Sequence, residues 1–120
     1  MNYKDYQDQS QRTFPVDSSI TKELLDQLHC SIGINTEAGE LMDAFKRAIY
    51  YRKPLDVVNV GEEIADIMWY LSNLCRLLNL DFETLLQNNI DKLKVRFPDK
   101  FSEEKALNRD LISERKELEK

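Results

Sequence analysis

The chain has 120 residues, of which 42% are hydrophobic and 32% are charged. This length and composition are typical of one globular domain with its own core. Only three glycines and three prolines occur. An all-β fold spends many of both in tight turns, so the composition favours helices. The formal net charge is −5, which argues against a general binder of DNA or RNA duplexes, because such binders need a basic surface.

The compartment can be inferred from what the sequence contains. The two cysteines, Cys30 and Cys75, both lie among apolar residues and are interpreted as free thiols of a reducing cytosol. The N-terminal segment is polar and lacks the apolar region of a secretory signal. No apolar run approaches the length of a membrane span. We therefore expect a cytoplasmic protein with no membrane partner.

The first half of the chain predicts an arm and a long helical region. Residues 1–17 show no clear period and are expected to form an extended arm. Good N-cap residue types follow at Asp17, Ser18 and Ser19. Apolar residues then recur at helical spacing from Ile20 to Ile49. Gly33 is a candidate bend or break in this region, and the region must end before Pro54.

The second half predicts three further helices. One apolar stripe runs from Val60 to Leu78, and a second runs from Leu85 to Phe97, just before Pro98. Ser102 is a candidate cap for a last helix. The tail of residues 111–120 is strongly charged and is expected to fray. The sequence therefore predicts one all-α domain of residues 1–120, built as a bundle of four to five helices.

Four acidic residues form two pairs on the predicted helices. Glu37 and Glu40 make the first pair, and Glu63 and Asp66 make the second. Each pair has i, i+3 spacing, which puts both carboxylates on one helix face. At about 100° per residue, both pairs fall on the same flank of their apolar stripes. Four carboxylates around one point need a cation, and oxygen ligands of this kind suit Mg²⁺ or Mn²⁺.

The next helix carries a different set of polar groups on the corresponding flank. Asn89, Lys92 and Arg96 lie together beside its apolar stripe. An amide, an ammonium and a guanidinium suit phosphate oxygens and metal-bound water. Acids on two helices and cations on another are typical of metal-dependent phosphate chemistry. Taken singly, each of these motifs is also compatible with an ordinary solvated helix face.

These motifs, in this order, resemble the all-α nucleoside triphosphate pyrophosphohydrolases related to MazG. The family signature E-x-x-E, a gap and E-x-x-D is present as Glu37, Glu40, 22 intervening residues, Glu63 and Asp66. The segment N-x-x-K-L-x-x-R-[YF]-P follows at Asn89–Pro98. The similarity extends from about His29 to Asp110. Thr36 stands where many members have a further Glu, and Phe97 where Tyr is common.

The resemblance implies an enzyme that hydrolyses (deoxy)nucleoside triphosphates to the monophosphate and pyrophosphate, and so controls or cleanses a nucleotide pool. It implies that the four acids are the metal ligands and catalytic residues, with Mg²⁺ or Mn²⁺ as cofactor. Asn89, Lys92 and Arg96 become candidates for binding phosphates, and Tyr70 becomes a candidate contact to the sugar or base. A homodimer or a dimer of dimers is implied as well, with the bundle completed by oligomerisation. The Lys, Asn and Tyr content hints at a bacterial or phage source.

Several alternatives remain open at this point. His29, the single histidine, is either a structural residue or a contact near the base. A di-iron carboxylate bundle is excluded, because it requires two Glu-x-x-His pairs. The acids might instead be surface residues of a non-catalytic helical dimerisation module, or the chain a nucleotide sensor. Base preference cannot be inferred from these residues.

Overall fold

The computed structural model describes residues 1–16 and 19–120. Over these residues it contains six helices and no strand, which confirms the predicted all-α fold. The helices are α1 (Tyr3–Gln11), α2 (Lys22–Tyr50), α3 (Val57–Leu77), α4 (Phe82–Arg96), α5 (Glu103–Leu107) and α6 (Leu111–Leu118).

Helix α2 is one continuous helix of 29 residues. It passes through Gly33 without a break, so the predicted bend there is wrong. Its N-cap is Thr21, whose side chain accepts a hydrogen bond from the backbone N–H of Leu24. The candidate caps Asp17 and Ser18 lie outside the described residues. Gly33 has a packing role instead, since it is buried against α3.

Polar side chains define the starts of the later helices, as the sequence predicted. Asp56, Asp81 and Ser102 each accept a hydrogen bond from a backbone N–H of the first turn of α3, α4 and α5. Asn79 adopts a left-handed backbone conformation, with φ of 53°, in the short turn between α3 and α4. These caps satisfy backbone donors that a helix start leaves unpaired.

Two segments are more ordered than the sequence suggested. Residues 3–11 form helix α1 where an extended arm was expected, and Asn2 and Asp5 make a reciprocal capping box at its start. Residues 111–118 form helix α6 where fraying was expected. Glu114 of α6 is only 2% exposed, so this helix is held by a buried charged residue that apolar periodicity does not reveal.

The helices pack in two pairs, α2 with α3 and α4 with α6. The α2–α3 hairpin, joined by a short connection, carries the predicted acids. Cys30 and Ala44 of α2 are its most buried apolar residues, and both cysteines are free thiols, as expected. No helix among the described residues is long and apolar enough to cross a membrane.

Candidate metal centre

Three of the four predicted acids meet between α2 and α3. Carboxylate oxygens of Glu37, Glu63 and Asp66 all lie within 4.8 Å of one another. Glu37 is half-buried, Glu63 is 4% exposed, and Asp66 is exposed. The i, i+3 spacing on α3 and the packing of α2 against α3 bring the three together. The sequence argument therefore correctly placed both helices around one point.

Glu40 lies beside this cluster rather than within it. Its side chain is exposed, yet its charge acts on Glu37. Partial burial and the charge of Glu40 raise the pKa of the Glu37 carboxyl above its usual value. Asp66 and Glu63 act in the same direction, and Glu63 also hydrogen-bonds with Glu37. The raised pKa indicates that the acids repel one another when all are ionised.

Asn59 is a site residue that the motif analysis missed. Its Nδ2 donates a hydrogen bond to Oε1 of Glu63 at 2.7 Å. This bond fixes the orientation of the most buried carboxylate and leaves its other oxygen facing the cluster. The signal was present in the sequence, because Asn59 precedes Glu63 by one helical turn. An amide at that spacing is common on helices, so it did not stand out.

The donor set fits a small divalent cation. Opposite ligands of Mg²⁺ are about 4.2 Å apart, twice the usual metal–oxygen distance. The carboxylate oxygens reach a comparable separation with small side-chain rotations. A cation would also relieve the repulsion that raises the pKa of Glu37. Carboxylates from two helices thus form a candidate site for Mg²⁺ or Mn²⁺, although these oxygens do not select between the two.

The two predicted nucleoside contacts lie one turn further along the hairpin. The rings of His29 and Tyr70 are 6.1 Å apart between centroids, and both line a small cavity of about 140 Å³ together with Trp69. The Tyr70 ring lies directly on the backbone of Gly33, where a Cβ would collide with it. Gly33 is therefore a second residue whose role the sequence did not reveal.

The predicted phosphate residues lie on the other pair of helices. Lys92 Nζ donates to Asn89 Oδ1 at 2.6 Å. Arg96 donates from Nε and Nη2 to the two carboxylate oxygens of Glu114, at 2.9 and 2.6 Å. Among the described residues, no hydrogen bond or ion pair joins these three side chains to the acids of α2 and α3.

Together, the fold and the acid cluster define an all-α protein with a candidate carboxylate metal centre between two paired helices. Residues 29–101 match the sequence model of the MazG nucleotide pyrophosphohydrolase domain, so the chain belongs to that family. The resemblance drawn from the motifs is confirmed, and all four acids lie within the matched region. Neither a curated protein nor a solved structure matches the chain.

Proposed function

We propose that this protein hydrolyses (deoxy)nucleoside triphosphates to the nucleoside monophosphate and pyrophosphate, using Mg²⁺ or Mn²⁺. The observation that carries the proposal is the cluster of Glu37, Glu63 and Asp66 within the matched family region. The family supports a nucleotide substrate, and the cluster supports a metal-dependent reaction. Such an activity controls or cleanses a nucleotide pool.

The four acids have related tasks in this proposal. Glu37, Glu63 and Asp66 hold the cation, and Glu40 completes the ligand set from the exposed side of the cluster. A bound divalent cation neutralises the triphosphate and activates water for attack on phosphorus. An uncoordinated oxygen of Glu40 accepts the proton of that water, because Glu40 is exposed and adjacent to Glu37.

The nucleoside is assigned to the other side of the cluster. Tyr70 follows Asp66 by one helical turn and lies against Gly33, which fixes its ring near the acids. His29 lies near Tyr70 at the same cavity. We assign both residues to contacts with the sugar or base.

A second copy of the chain is also part of the proposal. The Cα radius of gyration is 20.4 Å, whereas a compact domain of this length has a radius of about 14 Å. Many large apolar side chains are exposed on α2, including Met42 at 71% and Ile49 at 67%. Exposed apolar surface of this extent is typical of an interface, and a homodimer or dimer of dimers would cover it.

The same assembly gives Asn89, Lys92 and Arg96 a route to the substrate. These residues lie on the α4–α6 pair, apart from the α2–α3 pair that holds the acids. Association of two copies can bring α4 of one copy to the acids of the other. In that arrangement the three side chains contribute to binding the phosphates.

The experiment is a release assay across the common and modified nucleoside triphosphates, with pyrophosphate and orthophosphate measured separately. We expect pyrophosphate release that stops in EDTA and returns with Mg²⁺ or Mn²⁺. Turnover that continues in EDTA, or orthophosphate as the main product, would contradict the proposal. Nucleotide binding without turnover would indicate a sensor, and no binding would indicate a helical dimerisation module.

A further inference from the structure

A second polar cavity lies where α2 and α3 are joined, at the opposite end of the acid cluster from Tyr70. Its volume is about 280 Å³, and it is lined by Ala44, Arg47, Lys53, Pro54, Asp56 and Asn59. None of the roles described above uses its two cationic side chains, Arg47 and Lys53.

The cavity is continuous with the acid cluster. Asn59 lines the cavity and also donates the hydrogen bond to Glu63 at 2.7 Å, so one side chain borders both. On α2, Arg47 follows Glu40 by two helical turns and falls on the same flank at about 100° per residue. At about 1.5 Å per residue, the two Cα atoms are separated by roughly 10 Å along the helix.

The cationic groups are arranged to receive an anion. Asp43 holds Arg47 through Nε at 2.6 Å and Nη2 at 2.5 Å, which orients the guanidinium and leaves further donors on Nη1 outside that pair. Lys53 lies in the connection, directly after Arg52, whose left-handed backbone (φ of 53°) turns the chain. The carboxylate of Asp56 faces the start of α3, where it accepts from the backbone N–H of Asn59.

We propose that this cavity binds the terminal phosphates of the substrate and the pyrophosphate that leaves. Arg47 and Lys53 supply the charge, and Asn59 links the cavity to Glu63. The proposal rests on the proposed function, and it adds a direction to it. The nucleoside lies toward His29 and Tyr70, the acids lie in the middle, and the terminal phosphates point toward the connection between α2 and α3.

The test uses inorganic pyrophosphate with Mg²⁺ as the probe, and binding to the full chain is measured by calorimetry. Arg47→Met and Lys53→Met remove charge from exposed positions while keeping most of the stem. Lys46→Met is the matched control, because Lys46 pairs with the same Asp43 but lies over the Tyr51 ring and does not line the cavity. A nucleoside monophosphate serves as the second ligand.

We expect each cavity variant to weaken pyrophosphate binding by about tenfold, equivalent to about 1.4 kcal/mol. Lys46→Met should stay within twofold of the wild type, and affinity for the monophosphate should be unchanged in all three variants. Equal pyrophosphate affinity in the wild type and both cavity variants would overturn the proposal. So would an equal loss in the Lys46 variant, because it would indicate a general charge effect.

Failure of this inference can be told apart from failure of the proposed function. A chain that releases no pyrophosphate from any triphosphate, yet loses pyrophosphate binding in the cavity variants, would retain the phosphate cavity but not the enzyme. A chain that hydrolyses triphosphates normally with Arg47→Met and Lys53→Met would retain the enzyme and lose the phosphate cavity.

Discussion

Two buried glutamates in this small protein have opposite surroundings. Glu63 on α3 is 4% exposed and Glu114 on α6 is 2% exposed. Glu114 is matched by two guanidinium groups, from Arg96 and Arg109, each of which donates to both of its oxygens. Glu63 has an amide, Asn59, and otherwise faces other carboxylates.

The difference separates a charge that the fold satisfies from one that it leaves open. Hydrogen bonds from Arg96 and then Arg109 hold the pKa of Glu114 far below its usual range. In the acid cluster the pKa of Glu37 is raised instead, by burial and the charge of Glu40. A buried charge with its partners in place holds helices together, whereas a set of like charges at a helix interface indicates a ligand of opposite charge.

The first prediction removes the open charge. Glu63→Gln keeps the shape of the side chain and should lower turnover at least about a hundredfold, in line with losses at metal ligands and their supports. The stability of the metal-free protein should be unchanged or higher, because the repulsion from Glu37 is relieved. Steady-state kinetics and thermal melting in EDTA measure the two effects.

The control for that prediction is the neighbouring acid. Glu62 is exposed, so Glu62→Gln changes the net charge equally and should have only a mild effect. Addition of Mg²⁺ or Mn²⁺ should raise the melting temperature of the wild type and of Glu62→Gln, but much less that of Glu63→Gln. A Glu63→Gln protein with most of its activity would mean that the acid cluster is not the metal centre.

How far the sequence could predict this molecule depends on which features follow a period. The acid cluster could be found because i, i+3 spacing and the apolar stripes fix which side of a helix each carboxylate occupies. The caps at Asp56, Asp81 and Ser102 could be found because short polar side chains favour those positions. These are local properties, and the structure confirms them.

What the sequence could not predict depends on contacts between distant residues. Glu114 pairs with Arg96 across 18 positions, and nothing local distinguishes it from the exposed acids of the same tail. Gly33 looked like a helix breaker because its packing partner, Tyr70, lies on another helix. The partition of the helices into two pairs was also beyond a periodicity argument, and it separates Arg96 from the acids that it was expected to assist.

The second prediction asks whether the α4 cations belong to the open site or to the satisfied one. Lys92→Met should worsen KM or turnover by about tenfold if Lys92 contacts the triphosphate. Arg96→Lys should also be harmful, because an ammonium cannot replace the paired donors of a guanidinium. Kinetics within twofold of the wild type for both variants would remove α4 from the site.

Arg96→Lys also loosens the pair with Glu114, so its effect on folding must be separated from its effect on phosphate. Thermal melting of the same variant supplies that separation. Arg109→Lys is the matched control, since Arg109 donates to the same carboxylate but was never assigned to phosphate. Equal kinetic losses in both arginine variants would indicate a structural role for Arg96.

The third prediction concerns the close approach of Tyr70 to α2. Gly33→Ala should destabilise the wild type, because overpacking costs about 1–3 kcal/mol and outweighs the gain of roughly 1 kcal/mol from replacing a helical glycine. In a Tyr70→Leu background the same change should be neutral or stabilising. A double-mutant cycle by denaturant unfolding measures the coupling. Identical effects of Gly33→Ala in both backgrounds would mean that the ring does not rest on this glycine.

The last prediction tests the satisfied charge through its pH dependence. Glu114→Gln should lower the melting temperature at neutral pH by about 5 °C or more, because two guanidinium groups lose their shared partner. Glu119→Gln is the control, since its pair with Arg115 is exposed and contributes little.

The sign of the pH effect follows from the lowered pKa of Glu114. The unfolded chain binds more protons than the native protein between the ordinary glutamate pKa of 4.5 and the lower native value, so stability falls as the pH falls through that window. The difference in melting temperature between the wild type and Glu114→Gln should therefore be full above about pH 5 and should shrink steadily below it. The Glu119→Gln protein should show no comparable convergence. A wild-type advantage that persists unchanged into strong acid would mean that packing of α6, rather than the ionised carboxylate, holds it to α4.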